Sequence, residues 1–523
     1  MIDKNIYQDI INDLKVGNSV AEHDFILKDA RVDTPVYNAV LNDEYDIVTG
    51  RKGAGKTAIF KIIGLEQADH LFLTNNLVVV SGVNASSESI FAQFKDEFRS
   101  YSEEDFENFW KIYFVSLSYN LFLKSPKFQK NLNNLEKEIN EFKRAAHRAG
   151  IPDIPAQLDI KRIVEWAVQA LKAIKSVRGS IGANSNTSLF GAEIEIQMKE
   201  SQKDKIKKQT LYISEITVAL DKILEKSQLK LWIILDRLDE VFERYSMVEF
   251  NGLRGLLKAY KSFDIIESSD RIRVKLFLRD DIKQFLTEDK SFKRYYPNQT
   301  IKPLVAATHI FAKESPVLNW SEDEIQQLIL YRLLQSSKLR HFAGLNTKDT
   351  YDLREKLRDK TLRIKIWNMI FPERITNSAS LKWIYRRLSD SNGVVTPRSV
   401  IDMLSDATEF QKKDISLNFE DKEHIFSLES IKEGLNSASR NKLENDIFNE
   451  FPRDQENIKK LSRAGKHKLS SKDLQEIYGK KWEDIAESLR RVGILYFIKN
   501  SNEYRVVLLF RPALGISYKF NNA

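Results

Sequence analysis

At 523 residues, 42% hydrophobic and 30% charged, the chain is long enough for roughly two to four domains and a large core, and it is not a disordered protein. It has no cysteine and only seven scattered histidines, which excludes disulfides, thiolate zinc sites and cysteine nucleophiles and suits a cytosolic protein. Net charge is +8 but uneven: residues 451–523 hold 15 Lys/Arg against 8 Asp/Glu, a difference of +7, leaving +1 for the rest. The excess admits nucleic acid or another acidic partner for the C-terminal part, and equally a solvated basic surface. No apolar run approaches the ~18 residues of a membrane span, and Met1-Ile2-Asp3-Lys4-Asn5 lacks the pattern expected of a signal peptide.

Residues 1–44 read as a polar, partly helical lead-in, with Thr34 as cap and Pro35 at the first position of a short helix. Tyr45-Asp46-Ile47-Val48-Thr49 then reads as a strand, and Gly50-Arg51-Lys52-Gly53-Ala54-Gly55-Lys56-Thr57 follows it. This fits G-x-x-x-x-G-K-[ST], the phosphate-binding P-loop, with Thr57 to Ile63 as the first turns of a helix. Strand, glycine loop and helix turn backbone N–H groups and a positive helix end toward a phosphate. Lys56 would pair with the β- and γ-phosphates and the Thr57 hydroxyl would ligate Mg²⁺. Leu77 to Val83 predicts the second strand, which opens an α/β unit with a parallel sheet.

Residues 85–228 form a long, mostly helical insertion. Phe106 to Phe114 begins an aromatic, core-facing helix, and 133–148 and 159–176 are charged and helical. Around 179–196 a flexible turn feeds a small exposed strand, Ala192-Glu193-Ile194-Glu195-Ile196. Partner contacts and plain surface are equal readings of the insertion. Leu231 to Leu235 is an apolar strand, and Asp236-Arg237-Leu238-Asp239-Glu240 follows. Asp236 would hold Mg²⁺. A second acid would orient the attacking water. Both Asp239 and Glu240 qualify, and the longer arm of Glu240 favours it slightly. A helix near 246–263 precedes another strand, Val274 to Leu278, which ends in Arg279-Asp280-Asp281. Arg279 would sense the γ-phosphate or stabilise charge in transfer, or else sit as a surface arginine.

Ser321 and Glu324 form a capping box that starts an all-helical region reaching about 415. Within it Thr396 caps, Pro397 takes the first helical position, and Arg398 sits in the first turn, against the helix dipole. Contact with nucleotide phosphates would explain that cation, and a salt bridge to a neighbouring acid would explain it equally well. Residues 451–523 read as a winged helix: helices at 454–464, 471–478 and 481–491, then a hairpin from Ile494 to Phe510. Its second helix of the pair, Trp482–Val492, would offer Arg490 and Arg491 to DNA, although many winged helices bind protein instead.

Five segments together carry a resemblance: GRKGAGKTA (Gly50–Ala58), WIILDRLDE (Trp232–Glu240), KLFLRDD (Lys275–Asp281), LNWSEDE (Leu318–Glu324) and TPRSVI (Thr396–Ile401). In them the chain resembles bacterial P-loop ATPases related to the KAP, STAND and origin-initiator-like AAA+ groups, of the kind found in phage-defence loci. The resemblance implies a P-loop NTPase core at 45–316 with the insertion at about 85–228. A helical lid at 317–450 and a winged-helix domain at 451–523 complete it. It implies ATP and Mg²⁺ as cofactors, Gly50 to Thr57 and Arg398 as nucleotide-binding residues, and Thr57 and Asp236 as metal ligands. Arg279 would be sensor 1 and Arg398 sensor 2. Two features depart from that pattern: many such proteins place Asn or Thr at sensor 1, and the acids here run Asp-x-x-Asp-Glu. The implied function is a regulatory switch ATPase, a homo-oligomer with a separately encoded effector in antiviral defence, cytoplasmic and without a membrane partner. The alternative is a nucleotide-gated DNA-binding protein of the initiator or loader kind.

Overall fold

The computed structural model describes residues 2–83, 88–180, 211–263, 270–304, 307–345, 347, 349–417 and 423–516. The strand expected at Ala192 to Ile196 lies outside the described residues. The chain divides into two units: Val36–Arg51 with Ile59–Leu318, the sheet unit, and Met1–Pro35 with Lys52–Ala58 and Asn319–Ala523, the helical unit.

In the sheet unit β1 (Ile47–Gly50), β2 (Leu77–Ser81), β3 (Lys230–Leu235) and β4 (Ile272–Arg279) form an all-parallel sheet in the order β1-β4-β3-β2. Parallel strands are covered on both faces, so they read as continuous apolar runs rather than alternating ones. All eight residues of β4 are buried, three more than the run Val274 to Leu278 predicts. Lys275 within it is tolerated because Asp43 and Asp46 accept from its ammonium at 2.7 and 3.0 Å, and Trp232 lies under it at 4.1 Å. On the other edge of β1, Ser315 and Leu318 each donate a backbone N–H at 2.8 Å, to Ile47 and Thr49. Pro316 between them has no N–H to give, so this edge carries two isolated parallel bridges rather than a full strand.

The expected aromatic helix is α1 (Glu103–Leu117), capped by Ser102 and Asp105. It packs against α2 (Ile160–Ser180) and α3 (Met247–Phe263). The approach to α3 needs a glycine, since a Cβ on Gly255 would lie 2.6 Å from that of Phe106. The Trp110 indole donates to the Gly252 carbonyl at 2.9 Å, which satisfies its one polar atom inside the core.

In the helical unit the capping box of Ser321 and Glu324 starts α4 (Glu322–Leu333), and α5 (Pro397–Leu417) begins at the expected proline. Helix α6 (Leu428–Asn441) lies against α5 so closely that a Cβ on Gly434 would fall 2.2 Å from the Met403 carbonyl oxygen. A two-residue hairpin, Arg374–Ile375 with Ser378–Ala379, interrupts the region expected to be all helical. The N-terminal helix Lys4–Asp13 belongs to this unit, and the Tyr7 hydroxyl donates to the Ile425 carbonyl at 2.8 Å.

The C-terminal part runs helix Gln455–Ala464, strand Lys468–Leu469, helices Ser471–Tyr478 and Trp482–Val492, then strands Leu495–Ile498 and Glu503–Val506. Those strands make a three-stranded antiparallel sheet with Glu503–Val506 in the middle. Leu508–Phe510, expected to continue the hairpin, is a single 3₁₀ turn. One apolar core runs through the unit from Ile2 to Ile516. Among the described residues no helix is long and apolar enough to cross a membrane.

Candidate functional site

The carboxyl ends of the parallel strands bring several of the singled-out residues of the sheet unit to one edge. Gly50, first residue of the glycine motif, stands opposite Arg279 in the register of β1 and β4. Asp236 follows β3, the next strand over, and is buried, with its N–H bonded to the Val83 carbonyl at 2.9 Å. In open parallel sheets this is the edge where ligands bind. Directly after Asp236 the chain turns sharply, with Arg237 in the left-handed region at φ +52°. Backbone of this kind is held only where the surroundings over-determine it, and it gathers at functional sites.

The two candidate bases differ in their attachments. Asp239 accepts from Arg279 Nη1 at 3.4 Å. Glu240 pairs with Arg237 at 2.7 Å, three residues back, with side chains 36% and 25% exposed. A solvated pair of that type contributes at most about 1 kcal/mol, so it restrains Glu240 little. Arg279 itself is buried and held by Asp281, which also accepts from Arg244 at 3.3 Å and the Tyr245 hydroxyl at 2.9 Å. Burial pushes the Asp281 carboxyl up, but Arg279 beside it, then Arg244, outweigh burial and hold it well below the usual carboxylate range. Glu249 lies next to this network in α3, with Oε2 accepting the Tyr245 N–H at 2.5 Å. Burial raises its carboxyl to about 8, so it is neutral over much of the physiological range.

Within the helical unit lie Lys52 to Ala58 and Arg398. Gly53 and Gly55 have φ of +79° and +105°, the region that favours glycine, so the motif's glycines are required by its backbone. The helix Lys56–Lys61 starts at the motif lysine, which is buried. Arg398 packs over the loop: a Cβ on Gly53 would lie 3.0 Å from that of Arg398. The acid that could explain a cation in the first turn of α5 is Asp446, whose Oδ1 accepts from Arg398 Nη1 at 3.2 Å. Lys52 Nζ stands 3.1 Å from the same oxygen and 3.7 Å from Glu450, and donates to the Asn445 carbonyl at 3.3 Å. The Lys52 side chain is therefore engaged by acids.

Two groups at this loop escape a reading by motif. Trp320 donates its indole N–H to the Ala54 carbonyl at 2.8 Å, while its own carbonyl accepts from the Tyr385 hydroxyl at 2.8 Å. The segment LNWSEDE carried that signal, a tryptophan directly before a helix cap. Asp446 carried none, since it stands 48 residues beyond Arg398 in a charged helical stretch. In the C-terminal part Arg490 pairs with Glu487 at 2.7 Å and Arg491 donates to the Glu487 carbonyl at 3.2 Å, both on exposed helix surface.

The chain matches no family model, no curated protein and no solved structure.

Proposed function

We propose that the chain binds ATP with Mg²⁺ and hydrolyses it to ADP and phosphate, as a regulatory switch ATPase. The observation that carries this reading is the shared sheet edge, where Gly50 opens the glycine motif, Arg279 stands opposite it, and Asp236 directly follows the next strand. In this reading the backbone N–H groups of Gly50 to Thr57 cradle the phosphates and Lys56 pairs with the β- and γ-phosphates. The Thr57 hydroxyl and the Asp236 carboxylate are hard oxygen donors of the type Mg²⁺ takes together with phosphate and water. Glu240 or Asp239 orients the attacking water, and Arg279 and Arg398 meet charge that develops on the transferred phosphoryl group. The experiment is nucleotide titration of the full chain and its Lys56→Ala variant with Mg²⁺. Loss of ATP binding in the variant supports the reading, and equal affinity overturns it.

On the resemblance, the switch works as a homo-oligomer in antiviral defence, and the damaging chemistry lies in a separately encoded effector. A second reading, a nucleotide-gated DNA binder, is favoured by the order helix, strand, helix, helix, hairpin after residue 454. That order suits a winged helix, and its +7 charge suits phosphate. DNA binding through it would weaken steeply with salt and disappear when Arg490 and Arg491 are both changed to Ala. Binding that ignores both changes would leave this part as a protein-docking surface.

A further inference from the structure

Asp446 is a buried carboxylate that gathers three cations from three segments of the helical unit. Its Oδ1 takes Lys52 of the glycine loop at 3.1 Å and Arg398 of α5 at 3.2 Å, and its Oδ2 takes Lys442 at 2.7 Å. Lys442 and Asp446 belong to one π-helical turn, Lys442–Ile447, that continues α6. Such turns are rare, and they gather at functional sites because they re-aim a side chain that regular helix would carry elsewhere.

The Arg398 fork is only partly used. One Nη1 bond reaches Asp446, and the buried Nε has no hydrogen-bond partner among the described residues. A single contact at one corner fixes where a planar guanidinium points and leaves its other donors for an anion. Glu450, which Lys52 also meets, and Asp402, which feels the charge of Arg398, complete the group. What the cluster offers a phosphate is the open side of the Arg398 fork beside the glycine loop.

From this geometry we infer that Asp446 is a positioning residue of the nucleotide site, holding Arg398 over the glycine loop so that it reads the terminal phosphate of ATP. The inference rests on the reading of the loop as an ATP site. The low pKa of the carboxyl agrees: burial pushes it up, but Lys442, then Lys52 and Arg398, outweigh burial and bring it to about 2, so it stays charged at every working pH. Arg398 would touch the γ-phosphate, which ADP lacks. Asp446 should therefore matter for ATP and little for ADP. A carboxylate that only stabilised the fold would weaken both nucleotides alike.

The test measures dissociation constants of ADP and of a slowly hydrolysed ATP analogue on the full chain, on Asp446→Asn, on Arg398→Gln and on the double variant. Preference for the triphosphate should fall about tenfold in each single variant, equivalent to about 1.4 kcal/mol. The double variant should lose no more than the worse single one, because the two residues act through one contact. Arg398 is partly exposed, so Arg398→Gln gives a folded reference should Asp446→Asn fail to fold. An unchanged preference in Arg398→Gln, or additive losses in the double variant, overturns the positioning role while the ATP reading stands. A full chain that binds neither nucleotide overturns both.

Discussion

Arg279 grips Asp281 with one edge of its guanidinium, Nε to Oδ1 at 3.0 Å and Nη2 to Oδ2 at 2.9 Å, across the turn from strand to helix. The third nitrogen reaches Asp239. The arginine that ends β4 is thus held in place by its own helix and touches one of the two candidate bases. Removing Arg279 costs Asp281 its two charge-assisted bonds and leaves it Arg244 and the Tyr245 hydroxyl. Arg279→Ala should therefore destabilise the sheet unit by about 1.5–3 kcal/mol. Urea unfolding measures this, and a loss below about 1 kcal/mol would mean that Arg244 and Tyr245 suffice for Asp281.

Glu240 and Asp239 should separate by kinetics. Glu240 makes a solvated pair with Arg237, whereas Asp239 is tied to the buried Arg279. Glu240→Gln should slow hydrolysis by about 10²–10⁴-fold while ATP still binds. If Asp239→Asn shows that loss instead, the roles exchange. Normal rates in both variants would rule out hydrolysis of this type.

Trp320→Phe keeps an aromatic ring but removes the N–H that reaches Ala54, along with part of the buried indole. An unpaired buried carbonyl costs about 1–3 kcal/mol, so the loop should loosen. The expected outcome is a lower melting temperature for the helical unit together with weaker nucleotide binding. A variant that melts and binds as the parent does would show that Ala54 finds another donor.

The buried carboxyl of Glu249 makes stability depend on pH. Its folded value, raised to about 8 by burial, lies above the ordinary 4.5, so the folded state binds a proton that the unfolded state releases. That contribution is fully present below about 4.5 and is lost as pH rises through about 8. Glu249→Gln, which resembles the protonated acid, should flatten this slope and gain stability over the parent at pH 8. Melting curves at pH 5 and pH 8 decide it, and parallel losses in both proteins would place the titration elsewhere.

The elements with strong local signals were legible. Apolar runs such as Leu231 to Leu235 mark the strands, and Ser321 with Glu324 marks the start of α4. A mixed α/β architecture with a parallel sheet follows from them. The residues gathered at the sheet edge were legible for the same reason, because each ends or directly follows a strand. What escaped depends on long-range placement. Asp446 sits in a charged helical stretch that reads like any solvated face until the fold brings Lys52 and Arg398 to it. The N-terminal helix also reads as a polar lead-in, but Tyr7, Ile10 and Ile11 are buried in the core of the helical unit and Tyr7 reaches Ile425. The hairpin at Arg374 to Ala379 is too short to show periodicity.

Helix α1 has almost no solvent-facing stripe: from Phe106 to Leu117 every residue but Glu107 is buried. A stretch read as lying within an insertion is therefore a centre of the sheet unit. Its backbone amides have no local route to solvent, so they should exchange hydrogen only when the whole unit opens. The helix cannot be excised or shortened as a surface loop can, and a chain break placed within it would undo the packing of α2 and α3 against it.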